Sequence, residues 1–443
     1  MESHVLSQHF TLPKLLKFVF PTIIMMIFMS VYTSVDGAFV SRLISEDALA
    51  AVNVVYPVFS VILALGLMFA TGSNAIIARK LGEKRPDEAM SFLTLIYICG
   101  VLLGAFITAI GLILREPVLA MLGAQDTLYE YASSYYSMLV LFAPMSFLQV
   151  FAQNFFVTEG KPSWGLALCA AGGIANIILD YVFIVFTPLG IAGAALATGI
   201  GYSIPGVVGV IYFAFNKKGN LHFRRPVWKS KEMLHTCTNG SSELVNNLSI
   251  AITTLLFNLT MLRQVGKSGV AAITVILYIQ FIQAAVYFGY SQGVAPVISY
   301  KYGEANHEQL KYIMKMSIRL ILGASFLVVG LSVLFSETAV SLFLSKDSEI
   351  FDMTNRGFLI FATSYIFMGL NVFYSAMFTA LGNGKISALL SFLRTLVFIV
   401  GALLILPQIL GVDGIWLAVP LAEALAFAVG IIFYKTQKKR YHY

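Results

Sequence analysis

Long apolar stretches follow one another along the chain, and short polar segments separate them. Each stretch reaches the roughly 20 residues that an α-helix needs to cross the hydrocarbon core of a membrane. The strands of a membrane β-barrel would instead give short segments of alternating hydrophobicity. The pattern predicts twelve transmembrane helices, near 15–38, 50–78, 91–114, 128–157, 164–186, 191–215, 236–262, 270–299, 312–335, 355–380, 386–409 and 412–434.

The chain also repeats itself at an offset of 221 residues, as 80–83 (KLGE) and 301–304 (KYGE) illustrate. Each copy contains six predicted helices, so it ends on the side of the membrane where it began, and both copies share one orientation. We therefore predict an all-α integral membrane protein with two six-helix lobes, related by a pseudo-two-fold axis along the membrane normal. The lobes are expected at 1–215 and 236–443, with a solvated cytoplasmic linker at 216–235.

Composition and charge support a membrane location. Apolar residues make up 58% of the chain and charged residues 12%, whereas soluble domains carry about 25% charged residues. Most of the 29 Lys and Arg residues fall on one predicted side, which the positive-inside rule makes cytoplasmic. We expect a multi-pass protein of the bacterial inner membrane with both termini in the cytoplasm. The net charge of +7 therefore needs no nucleic-acid partner.

A few acidic residues fall inside the predicted helices, where an ionised side chain costs at least about 2.5 kcal/mol. Asp180 lies near the middle of the fifth helix, and Asn176 precedes it by one helical turn, so both lie on one helix face. A carboxylate beside an amide can bind a small hard cation or a proton. The alternative is an Asp that joins two helices through hydrogen bonds.

The remaining acids can be explained by structural roles. Asp36, near the outer end of the first helix, suits a cap or an interfacial position. Glu243 follows a glycine-serine run and reads as a helix start, where a carboxylate complements the helix dipole. Glu423 and Arg394 lie at similar depths in neighbouring helices, and we predict a structural ion pair. Glu159 is interpreted as a loop anchor.

The sequence offers no enzyme motif. All six His residues fall in predicted loops or tails, and no glycine-rich phosphate-binding loop precedes a Lys-Ser/Thr pair. We therefore expect a protein that is not an enzyme and has no cofactor. A pump without a nucleotide site must use an ion gradient, and Asp180 has the character that coupling to Na+ or H+ requires.

Taken with the doubled twelve-helix plan, several short patterns resemble those of bacterial MATE multidrug exporters, and most closely the MepA-like branch. These patterns are Pro21 ahead of Asp36-Gly37, Asn176 with Asp180, Glu159-Gly160, and Leu189-Gly190-Ile191-Ala192-Gly193-Ala194-Ala195. The resemblance covers nearly the whole chain. It implies a V-shaped pair of six-helix lobes that exports cationic aromatic drugs in exchange for Na+ or H+.

The resemblance also implies a cation site in the first lobe. The family positions for such a site match Asp36, Asn176, Asp180 and Thr198, which would be the Na+ ligands if Na+ is the coupling ion. Further candidate contacts to substrate or cation are Tyr135 and Gln153. A different branch uses acids in helices 7, 8 and 10 of the second lobe. This chain has Phe257 at the repeat equivalent of Asp36 and no acid in the middle of helices 8 and 10, which argues against a second-lobe cation site.

Three functions remain open from the sequence. The first is a cation-coupled multidrug efflux antiporter that works by alternating access, is monomeric, and has cationic drugs and the lipid bilayer as its partners. The second is a flippase of the same superfamily for lipids or polysaccharide precursors, although such proteins usually have more helices and a cationic cavity. The third is a passive channel or receptor, which would not need a duplicated half with a lone buried acid.

Overall fold

The computed structural model describes residues 5–443, except for the side chains of 33–43, 46, 126 and 127. Throughout this described part the regular structure is helical. The first half contains a 3-10 turn at Val5–Ser7, then α1 (Leu12–Leu43), α2 (Glu46–Gly82), α3 (Pro86–Ile113), α4 (Arg115–Met121), α5 (Asp126–Leu141), α6 (Ala143–Thr158), α7 (Pro162–Phe186) and α8 (Gly190–Phe215).

The second half contains α9 (Ser230–Gln264), α10 (Lys267–Gly303), α11 (His307–Leu334), α12 (Ser336–Ser341), α13 (Phe351–Ala362), α14 (Tyr365–Ala380), α15 (Gly384–Phe392), a π-helical turn at Leu393–Val397, α16 (Phe398–Leu410) and α17 (Val412–Tyr441).

Twelve membrane spans are confirmed if each of two bent helix pairs counts as one. Ten helices in the described part of the chain are each long and apolar enough to cross a membrane, and the pairs α5–α6 and α13–α14 bend by 52° and 49°. The predicted helices at 128–157 and 355–380 are therefore each broken. In the first of them the break at Phe142 lies two residues before Pro144, which has no N–H to continue the hydrogen-bond ladder.

The repeat is visible in the helices themselves. The bounds of α2 and α10 differ by the repeat offset at both ends, and so do those of α3 and α11. The short helices α4 and α12 also occupy equivalent places in the two halves. The predicted division into two halves of six spans each is confirmed.

The two halves meet closely through glycines. A Cβ atom at Gly82 of α2 would overlap the Tyr300 carbonyl of α10, and one at Gly303 of α10 would overlap the Arg79 carbonyl of α2. Gly240 of α9 is packed in the same way against the α2 backbone. Only a residue without a side chain lets two backbones approach so closely, which is a common way for membrane helices to associate.

Charged groups join the halves at the same end. Lys80 Nζ lies 2.9 Å from a carboxylate oxygen of Glu88 and 2.9 Å from one of Glu232 at the start of α9. Lys229 Nζ lies 2.5 Å from Glu88. In the equivalent place of the second half, Lys301 Nζ donates to the Ser7 carbonyl at 3.0 Å. We call these contacts and the Gly82–Gly303 crossing the inner seal.

The linker between the halves is held against the first half at Asn220 and Leu221, whereas most of its other residues are exposed. Glu159 accepts hydrogen bonds from the Tyr212 hydroxyl at 3.0 Å and from the backbone N–H groups of Asn220 and Leu221 at 3.1 and 2.7 Å. Its predicted role as a loop anchor is confirmed. Burial raises the pKa of the Glu159 carboxyl, because the charged form loses its hydration.

Candidate functional site

The candidate cation site lies where α7 and α8 pack tightly. A Cβ at Gly172 of α7 would overlap the Gly201 carbonyl of α8, so these two helices touch at backbone level. One turn further along α7 lies Asn176, and one more turn brings Asp180; both side chains are fully buried. Thr198 lies one turn before Gly201 on the facing side of α8. The contact between Gly172 and Gly201 therefore brings the pair of Asn176 and Asp180 close to Thr198.

Hydrogen bonds link three of the predicted residues directly. When the Asn176 amide is oriented so that its nitrogen faces acceptors, it donates to Asp180 Oδ2 at 3.2 Å and to the Tyr32 hydroxyl at 3.3 Å. The Thr198 hydroxyl lies 3.3 Å from the Asn176 amide and donates to the Ala194 carbonyl at 3.1 Å. The carboxylate, amide and hydroxyl oxygens of this cluster are the donor types that suit a small hard cation.

Asp36, the fourth predicted ligand, belongs to α1, but its side chain lies outside the described residues. α1 does pack on α7 near the site, because a Cβ at Gly173 would meet the Phe28 ring at 2.7 Å. Tyr32 is a site residue that sequence reasoning missed. Its position one helical turn before Asp36 could have identified it as a site residue, since residues four apart lie on the same helix face.

The two further candidate contacts are buried or half-buried in the bent pair of the first half. Tyr135 lies buried in α5. Gln153 lies half-buried in α6. Both residues stay candidates for contact with a substrate or cation.

In the second half, the predicted pair of Arg394 and Glu423 does meet. Arg394 Nε donates to Glu423 Oε1 at 2.8 Å, and both side chains are buried. The Asn371 amide donates to the other Glu423 oxygen at 2.6 Å. Arg394 lies in the π-helical turn, a local widening of the helix that is frequent where a side chain needs an unusual direction. A buried ion pair with its remaining oxygen hydrogen-bonded is neutralised, which fits the structural role predicted for it.

Glu243 is not at a helix start, which corrects the sequence-based interpretation. α9 begins at Ser230, so Glu243 lies well inside the helix and not in its first turn. The glycine-serine run before it serves helix packing instead, since Gly240 lies against α2. Glu243 lines a small cavity between the two halves.

In the described part of the chain, no group of three or more His, Cys, Asp or Glu residues could hold a metal ion. Among the described residues, the cluster would offer a cation the Asp180 carboxylate together with neutral amide and hydroxyl oxygens.

Comparison with known proteins places the chain among membrane exporters. The MatE family model matches residues 21–182 and 244–404. The multidrug export protein MepA of Staphylococcus aureus (strain bovine RF122 / ET3-1) is 26% identical over 426 residues, which cover 95% of this chain and 93% of that protein. The MepA protein of Staphylococcus saprophyticus subsp. saprophyticus is 24% identical over 91% of this chain and 89% of its own.

The fold matches solved structures from end to end. A crystal structure of a MATE protein in complex with MaL6 superposes with a TM-score of 0.94, at 23% identity, over 100% of this chain and 99% of that chain. An outward-facing multidrug resistance MATE family transporter of the MOP superfamily superposes with a TM-score of 0.92, at 24% identity and the same coverage.

Proposed function

Because this chain belongs to the MatE family, we propose that it is a secondary active antiporter that exports cationic aromatic drugs in exchange for Na+ or H+. The printed name of its staphylococcal relatives, multidrug export protein, supports the drug-export part of the proposal. Their bacterial origin and the many apolar spans support a multi-pass bacterial membrane protein. We expect a monomer with both termini in the cytoplasm.

The buried carboxylate of Asp180 carries the coupling part of the proposal. Its side chain is fully buried, and Asn176, a neutral amide, is one of its partners at 3.2 Å. A charged carboxylate inside the membrane region costs at least about 2.5 kcal/mol, and a bound cation or proton offsets that cost. The occupied and empty forms of the site therefore differ in electrostatic free energy by enough to bias an equilibrium between two conformations of the protein.

Occupancy of the Asp180 site is coupled to movement of the two halves if it changes how α1 packs against α7. The Tyr32 hydroxyl of α1 accepts a hydrogen bond from the same Asn176 amide nitrogen that donates to Asp180, so the charge state of Asp180 reaches α1 through one side chain. α1 in turn packs against α10 of the other half. A change at Asp180 can thus alter how the two halves meet, which is what a rocking, alternating-access mechanism requires.

Asp180→Asn tests this proposal, because it removes the charge with almost no change of shape. We expect normal amounts of protein in the membrane and a loss of at least tenfold in gradient-driven export of a fluorescent cation such as ethidium. The measurement uses proteoliposomes in which a Na+ gradient and a pH gradient are imposed separately, so that it also identifies the coupling ion. Glu308→Gln, at an exposed acid in the first turn of α11, is the control.

Wild-type rates of gradient-driven export by Asp180→Asn would contradict the coupling role of Asp180. Export by the native protein that ignores both gradients would contradict antiport itself.

A further inference from the structure

The linker that joins the two halves crosses the beginning of α3 and is fixed there by two side chains. The Ser91 hydroxyl of α3 accepts a hydrogen bond from the Val227 N–H group and donates one to the Arg225 carbonyl, both at 3.0 Å. The Thr94 hydroxyl of α3 accepts one from the N–H group of the residue before Arg225 at 2.9 Å. These bonds hold the backbone of residues 224–228, which we call the linker ridge, so its side chains are presented in fixed directions.

The linker ridge lies at the level where α3 enters the membrane. The predicted span begins near residue 91. Ile98 and Val101, which lie one and two helical turns beyond Thr94, are 43% and 39% exposed. Residues four and seven apart share a helix face, so the face of α3 that holds the ridge continues as an exposed apolar face of a membrane-spanning helix. Such a face contacts lipid, which puts the ridge at the depth of the lipid headgroups.

The apolar side chains of the linker are divided into an inner and an outer set. The ring of Phe223, just before the ridge, packs with its centroid 5.0 Å from that of Tyr97 in α3. Val227 and Trp228 of the ridge are instead 54% and 64% exposed. The Trp228 indole N–H donates to the Ser230 hydroxyl at 2.8 Å, so its polar atom is satisfied within the chain. Tryptophan is enriched at membrane interfaces, where lipid covers the apolar body of the ring.

Positive charge on the linker exceeds what the acids in the described part of the chain neutralise. The linker contains six Lys and Arg residues and one acid, Glu232. Arg224 pairs with Asp87, and Lys229 pairs with Glu88. The other four basic residues take part in none of the ion pairs between described residues, and they are Lys217, Lys218, Arg225 and Lys231. Basic residues beside a membrane attract the anionic lipids of its cytoplasmic leaflet.

We propose that the linker ridge binds an anionic phospholipid of the cytoplasmic leaflet. The planar fork of N–H groups on Arg225 fits two oxygens of the lipid phosphate, and the unpaired lysines of the linker raise the local concentration of anionic lipid. Val227 and Trp228 lie against the glycerol and the first methylene groups of the acyl chains. This binding site is separate from the cation cluster at Asp180, and it does not require antiport.

Quenching of Trp228 fluorescence tests this inference. The full-length protein is reconstituted in phosphatidylcholine vesicles that contain a small fraction of brominated lipid, either phosphatidylglycerol or phosphatidylcholine, with bromine near the ester end of the acyl chains. Bromine quenches only a tryptophan that it contacts, and the quenching that is lost in Trp228→Phe belongs to Trp228. We expect brominated phosphatidylglycerol to quench Trp228 at least about twofold more than brominated phosphatidylcholine does at equal mole fraction, because the unpaired basic residues enrich anionic lipid there.

Two charge variants separate a specific phosphate contact from general attraction, each compared with its own Trp228→Phe form. Arg225→Gln should quench equally with both lipids. Arg263→Gln removes an exposed charge at the other end of α9 and should keep the native preference. Equal quenching by both lipids in the native protein, or a preference that survives in Arg225→Gln, would overturn the proposal.

A soluble competitor distinguishes a lipid from a free phosphate. Glycerol 1-phosphate at millimolar concentration carries the headgroup phosphate without acyl chains, and we expect it to leave the preference unchanged. Loss of the preference on its addition would show that the ridge binds soluble phosphate groups equally well, which would also overturn the assignment to lipid. The measurement uses neither a drug nor a gradient, so its result is independent of the export result for Asp180→Asn.

Discussion

Three acids inside the fold differ in what surrounds the carboxylate. Glu423 has a guanidinium at 2.8 Å, Asp180 has a neutral amide at 3.2 Å, and Glu243 has a cavity. A carboxylate in an ion pair whose oxygens are hydrogen-bonded is already neutralised, so a second cation would stabilise it little. A carboxylate that has only neutral neighbours is stabilised when it binds a cation or a proton. The guanidinium beside Glu423 marks it as a structural acid and distinguishes it from Asp180, the candidate coupling acid.

Glu423→Gln should destabilise the protein without abolishing coupling chemistry. The change leaves Arg394 buried with its charge unpaired, and breaking a buried ion pair from one side costs about 3–5 kcal/mol. We expect a lower melting temperature in detergent and less protein in the membrane. Glu337→Gln is the matched control, because it breaks an exposed pair with Lys346 that is worth at most about 1 kcal/mol. Equal melting temperatures for the two variants would contradict the structural role.

Much of this site could be predicted at the residue scale, and the rest could not for identifiable reasons. Asn176, Asp180 and Thr198 could be found because their residue types and helical spacing are visible in the sequence. Tyr32 could not be assigned by hydropathy, since a tyrosine in an apolar helix looks like core until its hydroxyl is seen beside a polar group. Glu243 was misjudged because a glycine-serine run marks a helix start and a close helix crossing equally well.

At the scale of the helix, hydropathy found the spans and missed their polar ends. The predicted stretch at 50–78 is the middle of α2, which continues to Gly82, and α9 begins at Ser230, six residues before the predicted start of that span at 236. Hydropathy measures the fit to hydrocarbon, whereas these helices continue beyond it as polar turns. The residues of the inner seal lie in these polar ends. Hydropathy therefore does not detect the helix segments through which the two halves contact each other.

Gly240→Val should force α2 and α9 apart, because a Cβ there would overlap the Met68 carbonyl. We expect faster reaction of Cys237, one turn before Gly240 in α9, with a water-soluble maleimide added from the cytoplasmic side. The measurement uses inverted vesicles and a background in which Cys99 and Cys169 are replaced by Ala. Gly330→Val of α11 is the control, since nothing lies within 4 Å of a Cβ there. Labelling at the same rate in both variants would show that this contact does not hold α2 and α9 together.

At the scale of the whole molecule, the basic residues that orient the chain also join its halves. Lys80 and Lys229 belong to the excess of positive charge that predicts the cytoplasmic side, and they bridge Glu88 of the first half and Glu232 of the second. Lys301, the repeat equivalent of Lys80, ties α10 to the start of the chain at Ser7. The side chains that predict the orientation in the membrane are thus also the ones that join the two halves.

The orientation itself is open to a direct test. Twelve spans place both termini on one side, and the positive-inside rule makes that side cytoplasmic. A fluorescent protein that matures only in the cytoplasm should therefore fluoresce when it is fused after Tyr443 or inserted between Lys217 and Lys218, ahead of the linker segment that Glu159 holds. Alkaline phosphatase, which is active only outside, should be inactive at both places. Phosphatase activity at either place would invert the topology and put the inner seal on the outer side of the membrane.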